Sequence, residues 1–106
     1  VLAGISGAFD GFTLEVEQSE PPHFVSSREP FVRTLLDIYG EYTGERGKAM
    51  ATGGLTYVHN ITGGVAFGCE FPGREYRIHE PDERMPLADL VVSAKMYAAA
   101  ITRLCK

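Results

Sequence analysis

Residues 63–83 read GGVAFGCEFPGREYRIHEPDE, and the change of character along this stretch sets the fold class expected for the whole chain. Its opening, Gly64 to Gly68, carries only small and apolar side chains, as a short strand buried on both faces does. Pro72-Gly73 then marks a tight turn, and the sequence turns polar and arrives at His79 among Glu80, Asp82 and Glu83. A strand that runs out into a loop offering one imidazole beside carboxylates is a way to deliver a metal ligand or an acid–base group. A lone loop histidine is also simply a solvated residue, and the residues alone leave both readings open.

Upstream, Lys48 to Thr52 reads as a second short strand, too small in its side chains to be exposed, and it runs into Gly53-Gly54-Leu55-Thr56-Tyr57. Glycines at a strand end let the backbone turn tightly and let a ligand approach the amides. A short helix beginning near Thr56 and running to Asn60 or Ile61 makes this either an anion site or a plain strand-to-helix turn. Before it, Phe31, Val32, Leu35, Leu36, Ile38, Tyr39 and Tyr42 recur at helical spacing. They predict an amphipathic helix over 28–43, with Ser26 and Ser27 as caps and Gly44 as the stop. At the far end, Pro86 starts a helix to residue 105, with Leu87, Leu90, Val91, Ala94, Tyr97, Ala98, Ile101 and Leu104 along one apolar face. Asp89 near its start and Arg103 and Lys106 near its end suit the helix dipole. It reads as a packing helix.

Strands alternating with helices imply α/β construction with a largely parallel sheet, in which sites form at the carboxyl ends of strands. The strands at 48–52 and 64–68 are expected side by side and parallel, covered by the two long helices. The Gly53–Tyr57 turn and the His79 loop both follow strands, which argues that they share one site. Residues 1–10, rich in glycine and small side chains, read as a frayed lead-in. Residues 11–18 alternate, with Phe12, Leu14 and Val16 on one side, as a half-exposed strand does. Ser19-Glu20-Pro21-Pro22-His23 ends that pattern and reads as a hinge, with His23 as a linker residue.

With 106 residues the chain has room for one small domain, and its 44% apolar and 23% charged content is ordinary for a globular protein. A net charge of −4 and a pI near 5.3 disfavour a nucleic-acid partner. No apolar run reaches the roughly 20 residues of a membrane helix. A cytoplasmic protein is expected, with Cys69 and Cys105 as reduced, buried thiols; a single disulfide between them is the alternative. The start at Val1-Leu2-Ala3-Gly4 suggests a chain that begins inside something larger.

Five motifs in order resemble the C-terminal part of the dinuclear zinc dipeptidases, bacterial enzymes similar to carnosinase, succinyl-diaminopimelate desuccinylase and the aminoacylases. They are Pro22-His-Phe-Val25 with the helix carrying Leu35-Leu-Asp-Ile-Tyr39 and Thr43-Gly44; Gly53-Gly54-x-Thr56-Tyr57; Gly64-Val-Ala-Phe-Gly68; Phe71-Pro-Gly73; and His79-x-x-x-Glu83. The resemblance runs from about Pro21 to Leu104. It implies that residues 1–20 end a lid domain of the dimerisation type, with 11–18 as its last strand, and that 21–106 form the C-terminal segment of a zinc-peptidase catalytic domain. It implies two zinc ions in the complete enzyme, with His79 as the one ligand supplied here and Glu83 orienting its imidazole. Gly53, Gly54 and Thr56 would line the cleft for a small peptide substrate.

Leu55 stands where the family has a third glycine, His59 where it has arginine, and Asp82 where it often has asparagine. These departures bear on substrate preference. His59 is a candidate for substrate contact or an ordinary surface residue of its turn. The other ligands, a bridging carboxylate and the glutamate general base are expected upstream of Val1, so the isolated chain is expected to be inactive. A homodimer of the parent is possible on this resemblance. The alternative from another class is a non-catalytic binding or dimerisation module derived from the same fold.

Overall fold

The computed structural model describes residues 2–9, 11–17, 19–54, 56–68 and 70–105, with the side chains of Leu2, Ala3 and Ser6 left aside. Among the described residues three α-helices form: α1 (Leu2–Ala8), α2 (Pro30–Thr43) and α3 (Leu87–Leu104), with a 3₁₀ turn at Tyr57–Asn60. The expected lead-in is therefore helical in part. Its end folds back locally, the Phe12 amide donating to the Phe9 carbonyl (3.2 Å) with the two rings edge to face.

Among the described residues there is no strand, which corrects the α/β reading with its parallel sheet and the strands expected at 11–18, 48–52 and 64–68. The physical reason is that a strand is a paired state. Its N–H and C=O groups need a neighbouring segment to bond, and none of these three stretches lies along another. Residues 48–52 are extended and open to solvent, Met50 at 83% exposure. Phe12, Leu14 and Val16 are likewise exposed and stand outside the core.

Helix α2 follows its periodicity. Val32, Leu35 and Ile38 are buried, and Phe31 and Tyr39 pack at the edge of the core. Pro30 occupies the first turn, where its missing N–H costs no helical bond. The cap is Glu29 and not Ser26 or Ser27; Ser26 instead accepts from the Arg28 amide in the preceding turn. Gly44 ends the helix as expected, at φ 74°, with its amide bonded to the Gly40 carbonyl at 2.9 Å.

Helix α3 forms where expected but buries a different face. All eight residues of the predicted apolar stripe are exposed, Leu87 at 74%. The buried row is Asp89, Ser93, Met96 and Ala100, each three or four residues on from the last. Met96 and Ala100 meet Leu35 and Ile38 of α2, with Phe71 and Tyr76 of the intervening segment closing the same core. Arg103 grips Glu41 in a bidentate pair (2.9 and 2.6 Å), which holds the Glu41 carboxyl below its usual value. This pair brings the C-terminal turns of α2 and α3 together.

Ser93 is buried in this row with no hydrogen-bond partner for its hydroxyl among the described residues. A buried unmatched hydroxyl is costly, so Ser93→Ala is expected to raise stability by about 1 kcal/mol, read as a higher midpoint in urea. An unchanged or lower midpoint would show that the hydroxyl is satisfied in solution.

Candidate functional site

The loop bearing His79 is built on a closed base. Pro72-Gly73 makes the expected turn, Gly73 at φ 77° and the Arg74 amide donating to the Phe71 carbonyl. Tyr76 then re-enters the core, and its carbonyl accepts from the Arg84 amide at 3.0 Å, pinching off residues 77–83. Inside, the Glu80 amide donates to the Arg77 carbonyl (3.0 Å), and the Arg77 guanidinium reaches Asp82 (3.3 Å) and Glu80 (3.6 Å). Arg77, His79 and Asp82 all take left-handed backbone, at φ 54°, 60° and 62°, a conformation that strains residues with a Cβ.

His79 is exposed, and its ring has no hydrogen-bond partner among the described residues. Glu83 lies close by, but its carboxylate accepts from the His79 backbone amide (3.4 Å) and not from the imidazole. The pair thus shapes the loop and leaves both ring nitrogens open to an incoming ligand.

Gly53, Gly54 and Thr56 are exposed on the other turn. Thr56 caps the 3₁₀ turn, its hydroxyl accepting from the Val58 amide at 3.3 Å, and His59 completes a capping box through its Nδ1 and the Thr56 backbone. The short helix expected from Thr56 is borne out as this turn. Leu55, in the place of the third glycine, Cys69, the candidate disulfide partner of Cys105, and Lys106 at the basic end of α3 lie outside the described residues. Cys105 is free and exposed, which corrects its reading as a buried thiol; it falls just past the last turn of α3, where no element covers it.

No hydrogen bond or ion pair links the Gly53–His59 turn to the His79 loop among the described residues. The structure instead joins the first of them to His23. The His23 and His59 rings lie 5.4 Å apart, and His23 Nε2 is 2.6 Å from the Gly64 carbonyl oxygen. His23 is thus half-buried against a segment far along the chain, not a bare linker residue. Nothing in the composition of Ser19–His23 signals that contact.

Sequence reasoning also missed Asp89. It is 2% exposed at the start of α3, where its position suggested only a dipole role. One carboxylate oxygen accepts from the Tyr76 hydroxyl (2.8 Å), and the other pairs with Arg74. The same Tyr76 oxygen accepts from the Phe71 amide at 3.0 Å. Burial pushes the Tyr76 phenol above its ordinary value, and its bond to Asp89 adds to the rise.

Among the described residues no group of three or more His, Cys, Asp or Glu side chains could hold a metal ion, and no helix is long and apolar enough to cross a membrane.

Comparison with known proteins places the chain. Residues 6–103 match the model of peptidase family M20/M25/M40, and the chain belongs to that family. Among curated relatives, it is 37% identical over 95 residues to a "Putative dipeptidase" of Staphylococcus epidermidis and 39% identical to "Putative dipeptidase YtjP" of Bacillus subtilis. Each match covers 90% of this chain and 20% of the relative. The chain therefore spans about a fifth of the length of these relatives. No solved structure matches it significantly. The family resemblance read from the motifs is confirmed, and with it a peptidase affiliation.

Proposed function

We propose that the polypeptide carrying this chain is a zinc-dependent dipeptidase or related amidohydrolase, cleaving the amide bond of dipeptides or N-acyl amino acids. The observation that supports this reading best is the match to a peptidase family over residues 6–103, together with relatives named as dipeptidases. His79 is the residue of this chain that would bind zinc. Its ring is exposed, free of hydrogen bonds among the described residues and carried on a strained loop, which fits the donor zinc prefers. When bound, zinc polarises a carbonyl and lowers the pKa of a water to near neutrality.

The rest of this chain's part is binding and orientation. Glu83 holds the loop through the His79 amide, and the Gly53 amide and the Thr56 hydroxyl offer donors to a substrate carboxylate, with His59 beside them and Gly54 shaping the turn through its amide bond to the Thr52 hydroxyl (3.3 Å). One ligand cannot hold zinc by itself, so the isolated chain is expected to be inactive. Residues 1–20 and 21–106 are assigned to lid and catalytic domain on the same reading.

The test is metal analysis and dipeptide hydrolysis by the full-length polypeptide, before and after treatment with a chelator. Bound zinc, loss of turnover on chelation and recovery on adding zinc are expected. A polypeptide that neither binds zinc nor cleaves dipeptides would replace this reading with a non-catalytic module of the same family.

A further inference from the structure

We propose that Asp89 is a positioning residue for His79: its buried carboxylate, acting through Tyr76 and Arg74, fixes the base of the loop that presents the imidazole. This role rests on the reading of His79 as a metal ligand. A carboxylate at 2% exposure is expensive unless fully paired. Here both oxygens are used, and both partners belong to the segment leading into the loop, not to α2. Tyr76 is the last residue before the pinched-off stretch and supplies the carbonyl that closes it. Its side chain also holds the Phe71 amide, so one phenol ties the Pro72-Gly73 turn, the loop base and α3 together.

The loop needs such a hold. Three non-glycine residues in left-handed backbone persist only where the surroundings impose that conformation. The bonds inside the loop are one backbone bond from the Glu80 amide to the Arg77 carbonyl, the ion pairs of Arg77 and one long amide contact, and water and salt weaken the ion pairs. The buried attachment is the one at Tyr76. Asp89 sits on the most regular element of the chain, so the geometry of the loop is referred to a rigid helix and through it to the core formed with α2.

The decisive variant is Tyr76→Phe in the full-length polypeptide, which keeps the ring in the core and removes the hydroxyl. In the metal-free protein, amide hydrogen exchange at Glu80 and Arg84 is expected to speed up about tenfold relative to the amides of α2. Zinc affinity is expected to fall about 10–100-fold, as when a group that orients a ligand is lost. Ala100→Gly, which weakens the helix and core without touching this network, serves as the structural control. It should loosen α2 and α3 and leave the exchange contrast and the zinc affinity in place. Asp89→Asn, which keeps one acceptor oxygen for the phenol but loses the charge that holds Arg74, should loosen the loop selectively to a smaller extent than Tyr76→Phe, and an unchanged loop in that variant counts against the carboxylate as the anchor.

Uniform loosening of loop and helices in Tyr76→Phe, or none, overturns the proposal. So does unchanged zinc affinity in a protein where His79→Ala abolishes binding. Zinc binding that survives His79→Ala instead sinks the metal reading, and the exchange contrast then decides the anchor by itself.

Discussion

His79→Ala is expected to lower the zinc content and dipeptide turnover of the full-length polypeptide by orders of magnitude, while the chelated protein melts almost where the wild type does. The two halves of this expectation have separate causes. His79 is exposed, lies outside the core and makes no side-chain hydrogen bond among the described residues. Exposed substitutions of that kind change stability by about 0.5 kcal/mol or less. The backbone amide that Glu83 accepts from survives the change. The left-handed backbone at this position is no better suited to alanine than to histidine, so a small additional loss is expected. Loss of a ligand, by contrast, removes one of the few donors that hold a zinc ion. The comparison belongs on chelated protein, because zinc bound to the native state alone raises its midpoint. A large drop in the chelated midpoint would make His79 a structural residue. Intact zinc content and turnover would remove it from the metal site.

The second large effect is on folding. Ile38 is fully buried at the centre of the contact between α2 and α3, packed in one cluster with Leu35, Phe71, Tyr76, Met96 and Ala100. Ile38→Ala should therefore cost about 2–5 kcal/mol, and Ile38→Val about 0.5–1.5 kcal/mol. Domains of this size are stable by only about 5–15 kcal/mol, so the alanine variant gives up a large part of the total. Equilibrium urea unfolding reads it directly, the midpoint falling with little change in slope. A loss below about 1 kcal/mol, against the usual range for such truncations, would mean that α2 and α3 do not meet through this face in solution.

The contrast between these two residues shows what kind of information the sequence carried. The apolar spacing from Phe31 to Tyr39 named the buried face of α2, although Tyr42 at its end is exposed, and Gly44, Pro86, Thr56 and Pro72-Gly73 marked ends and turns that the structure keeps. These are local properties. A helical period, a ring-locked φ or a glycine that accepts positive φ acts within a few residues and needs no distant partner. The ordered motifs likewise identified the peptidase family that the comparison shows.

What the sequence could not determine was which surfaces would find partners. Alternation over 11–18 and the apolar runs at 48–52 and 64–68 describe segments able to pair, but pairing is a property of two segments, and among the described residues none of them has a partner. On α3 the apolar stripe pointed to Leu90 and Ile101, yet the buried row carries Asp89 and Ser93 ahead of Met96 and Ala100. Hydrophobic spacing cannot foresee this, because the cost of burying Asp89 is offset only by Tyr76 and Arg74, which the Pro72-Gly73 turn returns to the helix. The contact between His23 and His59 arises in the same way, from segments remote in sequence that tertiary packing places together. Local order in this protein follows from neighbouring residues, whereas burial and polar pairing are long-range, and only the assembled chain decides them.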